Sequence, residues 1–98
     1  MKQEITLEIL ADNNFSILNR IVNVLNRRRV RIKKLMAMEN DDDFTRGVAI
    51  LLIYTSVEMA EKVKHQLEKL IEVDRADYFE GSDRYVAITE RKAVAALS

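Results

Sequence analysis

Chemistry in a chain of 98 residues needs side chains of the right type at the right spacing, and here few exist. The sequence has no cysteine, which removes disulfides, iron-sulfur clusters, thiolate zinc sites and cysteine nucleophiles. A single histidine, His65, lies between Lys64 and Gln66, roughly opposite the Val63 and Leu67 face of a helical pattern; it reads as a solvated surface residue. Asp41, Asp42 and Asp43 form an acidic run without the alternating ligands and glycine of a calcium loop, so it reads as a solvated turn. Ser16, Ser56, Ser82 and Ser98 have no base pattern beside them, and capping or surface roles account for them. Two glycines, Gly47 and Gly81, cannot assemble a P-loop or a dinucleotide fingerprint. No metal site and no cofactor site is expected.

The strongest charge feature is Arg27, Arg28, Arg29, Arg31, Lys33 and Lys34. Such a run can meet phosphates or an acidic surface, and it equally suits a helix end running into an edge strand protected from aggregation. Over the whole chain sixteen basic residues balance sixteen acidic ones, which disfavours a nucleic-acid binder. No apolar run approaches the roughly 18 residues of a membrane helix. The opening MKQEITLEIL lacks the zones of a secretory signal, so a cytoplasmic location is expected.

These residues must be carried by one small domain. Ile5, Leu7 and Ile9 alternate with Thr6 and Glu8, the period of a half-buried strand. Asn13, Asn14 and Ser16 supply capping chemistry before Ile17, Leu18, Ile21, Val24 and Leu25, whose spacing predicts a helix to about Arg28; Val22 broadens its apolar stripe. Val30 to Met38 reads as a second strand, with a bulge expected near Leu35 where its parity breaks. After the acidic turn, the unbroken apolar run Val48 to Ile53 suits a central strand covered on both faces. Thr55 and Glu58 have capping-box spacing before Ala60, Val63, Leu67, Leu70 and Ile71, a second helical stripe, and Val73 to Phe79 closes as a fourth strand.

The order βαββαβ predicts an α+β, ferredoxin-like domain over 1–79: a four-stranded antiparallel sheet with two helices on one face. Residues 80–98 are a tail for which strand, helix and frayed end all remain open. RNA-recognition domains share this order, but they stack bases on aromatic rings, and Val48, Ile50 and Ile53 are aliphatic.

Asn13, Ile17, Leu18, Arg20 and Ile21 fall in the spacing N-x-x-G-h-L-x-R-h (h, apolar) that opens ACT regulatory domains, with Arg27 and Arg28 at the end of the same helix. Gln66-Leu67-Glu68-Lys69-Leu70-Ile71-Glu72-Val73 is similar to Q-L-x-K-L-I-D-V, and Thr45-Arg46 to a Ser-Arg pair before strand three. Together, over roughly Glu4 to Asp77, they resemble the small subunit of acetolactate (acetohydroxyacid) synthase. The resemblance implies a noncatalytic regulatory subunit with no cofactor of its own. Its partner would be the catalytic large subunit, which uses thiamine diphosphate, FAD and Mg, and valine, leucine or isoleucine would be the effector. It places an effector site at Asn13, Asn14, Ser16, Ile17 and Leu18 of one chain and at Arg31 and Ile32 of another. A homodimer is expected, with Val22, Val24, Val30, Ile32 and Leu35 as interface candidates. The family glycine at the helix start is Ser16 here, and the glycine-aromatic-asparagine entering strand two is Arg29-Val30-Arg31, so weak or absent effector binding is expected. Against longer relatives the chain reads as a short form. The alternative is an ACT amino-acid sensor acting on another metabolic enzyme.

Overall fold

The computed structural model describes residues 1–97, apart from the side chains of Phe15 and of residues 91–97; Ser98 lies outside the described residues. The elements are β1 (Gln3–Asp12), α1 (Phe15–Arg27), β2 (Arg31–Glu39), β3 (Arg46–Thr55), α2 (Val57–Glu68), β4 (Val73–Glu80) and α3 (Asp83–Leu97). The strands form one antiparallel sheet in the order β2-β3-β1-β4, the ferredoxin-like arrangement that the βαββαβ pattern predicts.

One face of the sheet carries Ile5, Leu7, Ile9 and Ala11 of β1 beside Ala49, Leu51 and Ile53 of β3. Ile17, Ile21 and Leu25 of α1 and Ala60, Val63 and Leu67 of α2 close over them. Each large side chain fully buried here contributes about 1.5–3 kcal/mol. The even-numbered residues of β3 serve the other face, where Ile50 and Leu52 pack with Tyr85 of α3, flanked by Met38, Val48 and Ile88. That explains the unbroken apolar run of β3: it is central in the sheet and covered on both sides.

The tail is therefore a third helix, laid on the face opposite α1 and α2. Gly81 makes the turn into it at φ +85°, a left-handed conformation that favours glycine. Its N–H donates to the Glu4 carbonyl (2.7 Å), and its carbonyl accepts from the buried Thr6 hydroxyl (2.9 Å). Arg84 pairs with Glu8 (2.8 Å) and lies 4.5 Å from the centre of the Phe79 ring.

The ends of the elements depart from expectation in instructive ways. The bulge in β2 falls between Ile32 and Lys34, not near Leu35. It lets Ile32 pack beneath the helices while Met38, an even number of residues on, packs with Ile50 and Leu52. The cap of α2 is Ser56, whose hydroxyl accepts from the Met59 N–H (3.1 Å); Thr55 stays in β3, buried. Ile71 does not extend the stripe of α2, which ends at Glu68; it is 97% exposed in the following turn. At the end of α1 the Arg29 N–H donates to the Asn26 carbonyl (3.0 Å) and the Val30 N–H to the Leu25 carbonyl (3.0 Å), with both Val30 and Leu25 in the core. This is a Schellman motif, and its left-handed position, usually glycine, is Arg29 at φ +54°.

Candidate functional site

Three turns meet at one end of the sheet and are tied to each other by backbone. The Asp12 N–H donates to the Glu72 carbonyl (2.9 Å), the Asn13 N–H to the Thr45 carbonyl (3.0 Å) and Asn13 Nδ2 to the Phe44 carbonyl (2.8 Å). Charge reinforces the same junction. Arg46 pairs with Asp12 and, through Nε, with Asp74 (3.2 Å), while Arg20 of α1 reaches Glu72 (2.6 Å). The Thr45 hydroxyl and N–H both donate to Asp43 and, with the nearby Arg46 charge, hold its carboxyl below the ordinary carboxylate range. These bonds fix the turn between β1 and α1, from which the helix starts.

Asn14 caps α1: its Oδ1 accepts from the Ile17 N–H (3.1 Å) and from the Ser16 hydroxyl (2.8 Å). Ser16 thus serves the cap through Asn14 and does not accept a helix N–H itself. Between the first half of α1 and the β2–β3 hairpin lies a cavity of about 480 Å³. Ile9, Ala11, Ile17, Leu18, Ile21, Ala37, Met38, Val48 and Ala49 make it apolar, and Asp12, Asn13, Asn14 and Glu39 supply polar groups. It is of the size of a small-molecule site. Its lining holds two carboxylates and two amides and no cation. Such a set can take an apolar side chain inside and offer oxygens to an ammonium group, with the N-terminus of α1 favouring a carboxylate.

Of the residues expected at an effector site, Asn13, Asn14, Ile17 and Leu18 line this cavity. Ser16 stands behind Asn14, outside the lining. Arg31 and Ile32 pair with Tyr54 and Ile53, at the far end of β2 from Met38 and Glu39, so within one chain they do not join it. Val30 is buried in the core, Val22, Val24 and Ile32 are half-buried, and Leu35 is exposed on β2. The wall from the end of β2 and the start of β3 was not foreseen. Its signal is a pairing of small residues, Ala37 opposite Ala49 and Gly47 opposite Glu39, which leaves room above the hairpin. Among the described residues no group of three or more His, Cys, Asp or Glu side chains could hold a metal, and no helix is long and apolar enough to cross a membrane. His65 is exposed on α2 between Glu61 (3.0 Å) and Glu68 (3.6 Å), away from the cavity.

The ferredoxin-like sheet is the fold of ACT domains, which are regulatory modules. Residues 7–75 match the model of the AHAS small subunit-like ACT domain, and the chain belongs to that family. No curated protein sequence matches the chain. Among solved structures it is similar to the acetolactate synthase small subunit of Thermotoga maritima (17% identity, TM-score 0.72), covering 84% of this chain and 50% of that one. It also resembles the ACT domain of a GTP pyrophosphokinase from Chlorobium tepidum (14% identity, TM-score 0.68; 81% and 100% covered). A third likeness is to a homoserine dehydrogenase of Thiobacillus denitrificans (16% identity, TM-score 0.67; 82% and 17% covered). At these identities the structures show the shared fold.

Proposed function

We propose that the chain is a noncatalytic regulatory subunit of acetolactate synthase, acting in the cytoplasm by binding the catalytic large subunit and raising its turnover. The observation that carries this reading is the match of residues 7–75 to the AHAS small subunit-like ACT domain. Thiamine diphosphate, FAD and Mg belong to the catalytic partner in this reading; this chain contributes contacts. It works as a homodimer, in which Arg31 and Ile32 of one copy reach the cavity of the other.

Valine, leucine or isoleucine is the effector class, held weakly or not at all. The apolar cavity suits a branched side chain. However, Asn14 already takes the Ile17 N–H at the start of α1, with the Ser16 hydroxyl donating to it, and Asn13 Nδ2 is spent on the Phe44 carbonyl. Loss of one hydrogen bond to a charged ligand group costs about 1.5–3 kcal/mol, roughly tenfold to a hundredfold in affinity.

A titration of the purified chain onto the catalytic large subunit of the same organism tests the assignment. Saturable activation, with no acetolactate synthase activity from this chain alone, is expected. An unchanged large subunit over the full titration withdraws the assignment. A second reading, a sensor for another enzyme, is supported by the fold shared with the GTP pyrophosphokinase and homoserine dehydrogenase structures; it predicts a different enzyme on co-purification.

A further inference from the structure

Two large apolar side chains stand in solvent at the end of the sheet where the three turns meet. Beyond the first residue, Ile71 at 97% and Phe44 at 75% are the most exposed large apolar side chains among the described residues. Neither packs against a buried cluster, so the fold makes no use of them. Both are nonetheless carried on braced backbone. Phe44 lies between the Asp43 carbonyl, which accepts from the Arg46 N–H (3.0 Å), and the Thr45 carbonyl, which accepts from the Asn13 N–H (3.0 Å); its own carbonyl takes Asn13 Nδ2 (2.8 Å). Ile71 lies between the Leu70 carbonyl, which accepts from the Val73 N–H (3.0 Å), and the Glu72 carbonyl, which accepts from the Asp12 N–H (2.9 Å). Asp12 and Asn13 are neighbours, so both apolar turns are fastened to one short stretch of backbone, with Phe44 on its β3 side and Ile71 on its β4 side.

The surroundings of the pair are acidic. Residues 12–14, 39–46 and 69–74 carry seven carboxylates against two cations, Arg46 and Lys69, to which α1 adds Arg20. Such a rim repels a nucleic acid or an anionic membrane, and a second copy docked patch to patch sets acid on acid. We propose that this end of the sheet docks the catalytic large subunit, with Phe44 and Ile71 entering an apolar surface rimmed by lysine and arginine. The inference rests on the regulatory-subunit reading and adds where the chain grips its enzyme. Apolar side chains left in solvent inside a polar rim are the form of a protein contact, and an aromatic anchor carries a large share of the energy of such contacts. The pre-set backbone of both turns limits what binding must spend on ordering them. The acid rim steers a basic surface toward the patch and turns like-charged partners away.

Titration of the full chain and its variants onto the catalytic large subunit of the same organism tests the surface, with binding followed by biolayer interferometry and turnover by acetolactate formation. Phe44→Ala and Ile71→Ala are each expected to raise the half-saturating concentration about tenfold, and the double variant to raise it further. Val86→Ala, an exposed apolar position on α3, is expected to leave it unchanged. Raising NaCl from about 50 mM to about 500 mM is expected to weaken the unaltered pair severalfold. Both substituted side chains lie in solvent, and circular dichroism melts confirm the fold of each variant. A chain that neither binds nor activates the large subunit overturns the regulatory-subunit reading and the docking surface with it. A chain that binds, with both alanine variants binding as tightly, leaves that reading standing and overturns the docking surface. An affinity unchanged or raised by salt overturns the basic rim, and the proposal with it. Sedimentation of the chain alone reads the remaining occupant: a dimer that the double variant dissociates gives the patch to a second copy and overturns the proposal.

Discussion

The two faces of the sheet are built differently. Among the described residues, two amphipathic helices on one face close over alternating residues of β1 and β3 in a core of sixteen buried residues, and on the other the buried core is Ile50, Leu52 and Tyr85. The first face holds the fold together and contains the cavity. Among the described residues, the second is fastened by the Gly81 turn, the Arg84–Glu8 pair and the buried Tyr85. The difference teaches that the candidate site lies on the face where two helices close over the sheet, while the opposite face is covered by α3.

Substitutions should separate the faces. Leu51→Ala, at 0% exposure beneath α1 and α2, is expected to cost about 2–5 kcal/mol in denaturant unfolding, the cavity cost of a truncated core residue. Tyr85→Ala on the opposite face is expected to cost less, about 1–2 kcal/mol, within the common range for single substitutions. It should expose the amides of α3 to hydrogen exchange while those of β1 and β3 stay protected. Equal global destabilisation by the two changes would break the comparison. Arg29→Gly should raise stability by about 1 kcal/mol, because glycine adopts the left-handed conformation without a Cβ clash.

The smallest effect is a pH dependence on the helix-covered face. The Tyr78 hydroxyl donates to Glu61, and this hydrogen bond, helped by the charges of His65 and Lys64, holds the Glu61 carboxyl below its ordinary value of 4.5 and raises Tyr78. A carboxylate with a lowered folded-state pKa adds stability that is present above its unfolded value and is lost as pH falls through the folded one. Tyr78→Phe should therefore lower the melting temperature slightly at pH 7, and the gap to the unaltered protein should close as pH falls below 4.5.

The helix-covered face was also the more legible in the sequence. Ile5, Leu7 and Ile9 keep strict alternation, and Ile17, Ile21 and Leu25 keep helical spacing, because each pattern serves one buried side. β3 could be placed as central from its unbroken apolar run. The tail was not legible: Tyr85 and Ile88 are two apolar positions three apart, and their value depends on Ile50 and Leu52 waiting beneath them. The bulge in β2 shifted from its expected place because register is decided by the pairing with β3, which local parity does not report. Ser56 displaced Thr55 as the cap because β3 runs on to Thr55 and keeps it buried.

The candidate site was half legible for a similar reason. Asn13, Asn14, Ile17 and Leu18 announce a capped helix start, and polar capping residues before an apolar stripe leave a mark in sequence. Ala37, Gly47 and Ala49 make the room for the cavity by being small. An absence of volume has no motif, and only the strand register brings those three together. Arg46 resembled a family position in sequence, but its work in pinning Asp12 and Asp74 at the rim needed the fold to be seen.

The central proposal is that the cavity beside α1 has room for an amino-acid side chain while Asp12, Asn13 and Asn14 in its lining are already engaged. Isothermal calorimetry of the full chain with valine, leucine and isoleucine at neutral pH measures it directly. The account predicts no saturable binding tighter than about 1 mM, roughly 4 kcal/mol, for any of the three. Saturable binding of any of them well below that concentration, abolished by Asn13→Ala, would contradict it and show that the β1–α1 turn still grips the effector.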